Sequence, residues 1–126
     1  MKIHNPPSVF PGPTYSHGIE VPANARWLYI SGQVGAAKDG KPREGIEAQT
    51  DQAWENLKAV LASAGMSMEN VVKITTYLVD ENHIEGYRKG RAKHLGDFRP
   101  ASTLVVAKRL AIPAWLVEIE AVAAKA

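Results

Sequence analysis

A chain of 126 residues with a formal net charge of +2, 45% hydrophobic and 22% charged residues fits one domain, residues 1–126, with one buried core, and its composition excludes disorder, collagen-like repeats and coiled coil. With no cysteine, disulfide staples, thiol catalysis and thiolate metal sites are excluded, and a cytoplasmic home is the expectation. The apolar runs are too short for a membrane span, the opening Met1–Pro7 lacks the apolar stretch of a signal peptide, and so small a charge does not by itself imply a nucleic-acid partner.

Pro6, Pro7, Pro11 and Pro13 remove amide donors and block helix, so the N-terminal segment reads as irregular or extended backbone laid across the surface. His17–Val21 and Arg26–Ser31 read as two short strands joined as a hairpin by a turn at residues 22–25. In the second, Trp27, Tyr29 and Ser31 share one face, and Leu28 and Ile30 the other. From Ile46 to Ala64 the apolar residues Ile46, Ala53, Leu57, Val60, Leu61 and Ala64 recur at helical spacing, with Gly65 placed as a C-terminal glycine cap. Val71–Val79 is rich in β-branched residues and reads as a strand apolar on both faces. Asn82–Leu95 is a second helix in which Gly86 and Gly90 each cost about 1 kcal/mol against alanine but share one side, where they allow close packing. Ala101–Ala107 and Trp115–Ala123 complete the order β-β-α-β-α-β-β, an α/β (α+β) arrangement with both helices on one face of a mixed sheet. The other face, left bare, calls for a partner copy.

Dinucleotide-binding, phosphate-loop, zinc-protease and nucleophile-elbow motifs are all missing. His4, His17, His83 and His94 show no ligand spacing, so no metal is expected, and His17 reads as structural. Glu118 and Glu120 alternate on the last strand, projecting from one face about 7 Å apart. Such a pair can run proton transfer in a pocket, but is plain surface charge without one. Arg88, Lys89 and Lys93 spread over the outer face of their helix as solvated charge. Arg91, four residues from Tyr87 and Leu95, falls in the apolar stripe, where its stem can snorkel along the surface or its guanidinium can enter a cleft between subunits.

Several segments taken together and in order resemble the RidA (reactive intermediate deaminase A) or YjgF family, and they cover almost the whole chain. They are residues 14–18 (TYSHG), 29–34 (YISGQV), 46–50 (IEAQT), 56–61 (NLKAVL), 71–73 (VVK), 100–103 (PAST) and 117–121 (VEIEA). The resemblance implies a chorismate-mutase-like fold, a homotrimer with sites at subunit interfaces, and hydrolysis of reactive enamines or imines to 2-keto acids and ammonia without a metal or organic cofactor. It also implies roles. Glu118, which begins Glu-Ile-Glu, orients or activates water; Ser31 and Gly32 contact a small-molecule ligand; Tyr15 shapes the pocket. Family members clamp the substrate carboxylate with an arginine in Pro-Ala-Arg-Ser. Here Ser102 stands at that position, Leu104 stands where members often carry cysteine, and Ile84 lies near a polar position of the second helix. Arg99, Arg91 and Arg109 are the candidates for a relocated positive charge. A ligand-binding trimer without turnover is the alternative reading. Endoribonuclease or translation-inhibitor work, ascribed to some relatives, lacks the aromatic platform that stacking on RNA needs.

Overall fold

The computed structural model describes residues 1–126. Strands β1 (Lys2–His4) and β2 (Gly18–Glu20) form a small antiparallel ladder of their own, while β3 (Arg26–Val34), β4 (Val71–Leu78), β5 (Ala101–Val106) and β6 (Val117–Lys125) form the main sheet in the order β3-β6-β4-β5. β6 runs antiparallel to both β3 and β4, and β4 and β5 are parallel. Helix α1 (Gly45–Ser63) links β3 to β4, and α2 (Ile84–Leu95), preceded by a 3-10 turn at Glu81–His83, links β4 to β5. The mixed sheet with two helices is the expected fold class.

The N-terminal pairing differs from expectation. β2 does not form a hairpin with β3; it pairs with β1, Ile19 opposite Ile3, a strand that the proline-rich reading missed. The cause lies in the anchoring of Ser16. Its N–H donates to the Pro100 carbonyl at 3.2 Å and its hydroxyl to the Arg99 carbonyl at 2.6 Å, which fixes the segment at the start of β5. That is the sheet edge opposite β3, so β2 cannot reach β3 and takes its ladder bonds from the chain start instead.

α1 buries Gln49, Thr50, Ala53, Trp54, Leu57 and Leu61, a wider stripe than the aliphatic pattern suggested. It ends as expected: Gly65 takes φ 68°, its N–H donates to Ala62, and the Met66 N–H donates back to Leu61, the paired bonds of a glycine-terminated helix. α2 lies against α1 through its glycines. A Cβ on Gly90 would sit 2.5 Å from Thr50 Cγ2 and one on Gly86 2.7 Å from Ile46 Cγ2, so the helix cost of both glycines is offset by close approach.

The reading of β4 as apolar on both faces is corrected. Ile74, Thr76 and Leu78 are buried under the helices, whereas Lys73, Thr75 and Tyr77 are half-buried on the opposite face, because β4 lies between one helix layer and an open side. The open face carries Trp27 and Tyr29, stacked with ring centroids 6.4 Å apart, together with Val122, Glu118 and Glu120. At the sheet edge Leu104, Val105 and Val106 of β5 are all exposed. No helix is long and apolar enough to cross a membrane.

Between the helices His94 is nearly buried. Lys58 Nζ donates to its Nδ1 at 2.8 Å, which leaves Nε2–H to donate to Asp51 Oδ1 at 2.9 Å. That bond, aided by Lys93, holds the Asp51 carboxyl below its ordinary value. A carboxylate held low in the fold stabilises it fully above its unfolded value near 3.8 and loses that contribution as pH falls through the lower folded value. Asp51→Asn is therefore expected to be less stable than the native chain at neutral pH, with the difference shrinking on acidification below that value. Urea midpoints at two pH values check it; a difference that grows in acid contradicts it.

Candidate functional site

The open face of the sheet gathers the acidic pair. Alternation along β6 and the register Tyr77↔Glu118 and Thr75↔Glu120 put both carboxylates on this face. β3 carries one extra residue between Ile30 and Gln33, a bulge at Ser31–Gly32 that turns this backbone toward β6. Gly32 is packed directly against the Glu118 side chain: a Cβ there would overlap the carboxylate. Glycine is required by that close approach.

Gly32, Tyr77, Arg109, Leu110, Glu118 and Glu120 line a depression of about 330 Å³, and Tyr29, Ser31, Lys73, Thr75 and Glu120 line a second of about 390 Å³. Glu120 is the wall common to both. The pair therefore sits in a concave site rather than on plain surface. The Tyr77 hydroxyl donates to Glu120 Oε1 at 2.6 Å. This bond, with partial desolvation and the negative charge of Glu120 and Glu118, holds the phenol above its ordinary range. Glu120 is thus engaged, while Glu118 has no donor from within the chain and can accept from water or a ligand.

The other residues singled out in the sequence lie elsewhere. Ser102 pairs in register with Ile74 and Leu104 with Thr76, so both point to the helix-side face of β5, across the sheet from Glu118. Tyr15 lies near the start of β5, edge-on to His17 at 5.4 Å. His17 is structural as read: its N–H donates to Asn5 Oδ1 and its Nε2 bonds the Phe10 carbonyl at 2.6 Å. Of the three arginines, Arg109 shares the depression with Glu118, and Arg99 borders a different cavity with Met1, Ile3 and Phe98. Arg91 is only 9% exposed, and its Nη2 is buried without a hydrogen-bond partner. Within one chain Ser102 and Leu104 thus lie on the opposite face of the sheet from Glu118.

Two polar anchors escaped the sequence reading. Tyr77 becomes a partner of Glu120 only once the β4–β6 register is known. Tyr87 Oη and Thr76 Oγ1 share a 2.6 Å hydrogen bond that pins α2 over β4; burial pushes the Tyr87 phenol up, against the opposing effects of Thr76 and of Arg91 beside it. The outward-facing basic residues of α2 are paired with acids, Arg88 with Glu85, Lys89 with Glu47 and Lys93 with Asp51. No free basic stripe is left there for a phosphate backbone. No three metal-ligating side chains converge.

Comparisons with known proteins cover the whole architecture. The family model described as Endoribonuclease L-PSP matches residues 8–125. A RutC family protein of Pyrococcus horikoshii is 39% identical over 113 residues, 88% of this chain and 86% of that protein. The crystal structure of the Rid family protein YyfB from Yersinia pestis superimposes with a TM-score of 0.87 at 32% identity over 98% of both chains. The structure of RidA from the Antarctic bacterium Psychrobacter sp. PAMC 21119 does so with a TM-score of 0.73 at 31% identity, again over 98% of both. With the chorismate-mutase-like α+β fold, the order of elements and the matched span all in agreement, the chain belongs to the RidA/YjgF/L-PSP family.

Proposed function

We propose that this protein is a cofactor-independent hydrolase of a reactive enamine, imine or related small metabolite, working at clefts between the copies of a homotrimer. The observation that carries the reading is the Glu118 carboxylate, seated against Gly32 in a concave site with no donor from its own chain. For 2-aminoacrylate the steps balance as follows. The enamine tautomerises to 2-iminopropionate; Glu118 takes a proton from water as its oxygen adds to C2 and passes it to the imine nitrogen, giving the carbinolamine; Glu118 then moves the proton of the new hydroxyl to that nitrogen, the C–N bond breaks and ammonia leaves as C2=O forms, giving pyruvate. Ser31 and Gly32 hold the substrate from the β3 bulge.

Two half-sites on opposite faces of the sheet support the interface. Ser102 and Leu104 face away from Glu118 in one chain, so a neighbouring copy is needed to bring them, and Tyr15 near them, to a Glu118 cleft. The exposed Trp27, Tyr29 and β5 edge give that copy apolar area to cover. Ser102, at the arginine position, offers a hydrogen bond but no charge, which favours a second reading: a trimer that binds a small ligand without turning it over.

The test is release of ammonia or keto acid from freshly generated 2-aminoacrylate and from a bulkier 2-imino acid. Acceleration over buffer is expected. A rate equal to buffer with both substrates contradicts the hydrolase and leaves the ligand-binding reading.

A further inference from the structure

Arg91 is a charged side chain more than nine-tenths buried, it joins no ion pair, and its Nη2 has no hydrogen-bond partner. The Tyr87 hydroxyl beside it is already bonded to Thr76. A buried guanidinium without a counter-charge is strongly unfavourable, so an anion beside it would be strongly favoured.

The backbone places Arg91 relative to β4 and β5. β4 and β5 are parallel neighbours joined by α2, so α2 must run back along them. Tyr87 is fixed over Thr76. Arg91 follows one helical turn later, about 6 Å along the axis, or about two strand residues back along β4. That is the level of Ile74, whose register partner on β5 is Ser102. Arg91 and Ser102 therefore share one row of the helix-side face. The row opens to the surface at β5, where Ser102 is half-buried and Leu104 is 38% exposed.

We propose that Arg91 is the anion-binding residue of this protein, taking the carboxylate of a small monocarboxylate ligand that enters over β5 past Leu104, with the Ser102 hydroxyl as a second donor. A single guanidinium matches one planar carboxylate through two parallel hydrogen bonds. The cations flanking β5 are turned elsewhere: Lys73 donates to Thr103 on the opposite face, and Arg99 borders the cavity beneath β1. A doubly charged phosphate would find no second counter-charge. The assignment deepens the proposed function, for it names what holds the acid end of the substrate where Ser102 cannot.

The experiment is calorimetric titration of the assembled full chain with 2-oxobutyrate, a stable 2-oxo acid, using native protein, Arg91→Met, Arg91→Lys and the double variant Arg91→Met/Ser102→Arg. Binding by the native protein is expected to weaken at least about tenfold in Arg91→Met and less in Arg91→Lys, and to return in the double variant, whose new guanidinium lies in the same row. Arg91→Met is expected to fold, since it removes an unpaired buried charge; should it not fold, Arg91→Lys carries the test. Failure of the native protein to bind, or native affinity in Arg91→Met or, if that variant does not fold, in Arg91→Lys, overturns the assignment. The readout needs no turnover. An inactive protein that binds through Arg91 therefore contradicts the hydrolase alone, and an active one whose binding ignores Arg91 contradicts this assignment alone.

Discussion

Glu118→Gln is expected to lower turnover by about 10²- to 10⁴-fold, the usual contribution of a positioned proton acceptor. The substitution keeps the size of the side chain and one acceptor oxygen, so packing over Gly32 survives while the capacity to take a proton from water is lost. Its urea midpoint should stay close to that of the native chain, because a half-buried side chain without partners in its own chain carries little of the stability. Gly32→Ala reaches the same atoms by another route. Its Cβ would occupy the space of the carboxylate and displace it, so a comparable fall in rate is expected with the carboxylate chemically intact. Steady-state rates on an imine generated in place check both, and a native rate in Glu118→Gln contradicts the role.

The largest expected loss of stability comes from Gln49→Leu. Gln49 is 2% exposed. Its Nε2 donates to the carbonyls of Arg43 at 3.1 Å and Ala114 at 3.0 Å, and its Oε1 accepts from the Leu116 N–H at 2.8 Å. This one amide thereby ties the start of α1 to the connection that delivers β6, the strand bearing Glu118 and Glu120. Leucine fills a similar volume but satisfies none of the three groups. Each orphaned polar group costs about 1 to 3 kcal/mol according to how well water reaches it, so with all three at the water-accessible end a loss of about 3 kcal/mol is expected, on the order of 10 °C in melting temperature. Gly35→Ala should act through the same contact, because its Cβ would overlap Gln49, and the two changes together should cost less than their sum. Denaturant titration at one protein concentration measures all three variants.

The elements were legible in the sequence where one period dominates. The aliphatic spacing of α1 and the glycine at its end located that helix, and alternation in β6 put Glu118 and Glu120 on one face. The hairpin expected of His17–Val21 and Arg26–Ser31 fails, because local pattern says nothing of which edge a segment reaches; the anchoring of Ser16 to Arg99 and Pro100 decides that β2 joins β1. β4 was misjudged because Thr75 and Tyr77 are good strand residues on either a buried or an open face. In the candidate site, Glu118, Ser31 and Gly32 are singled out through resemblance alone, and the carboxylate's seat on Gly32 is not legible in the sequence, since it depends on the bulge. The burial of Arg91 is not legible in the sequence because an arginine in an apolar stripe usually reaches water along its stem, and only the packed position of α2 leaves its Nη2 buried without a partner.

The most direct test of a cleft shared between copies mixes two damaged proteins. Glu118→Gln spoils the half-site on the open face, and Ser102→Trp plugs the half-site on the helix side; each alone should be inactive on 2-aminoacrylate. When equal amounts are unfolded and refolded together, random assembly gives both intact halves to about one cleft in four. The composite site predicts that the mixture regains about a quarter of the native rate in particles whose mass by light scattering is that of three chains; a mixture as inactive as its parents would place the whole site within one chain and contradict the account.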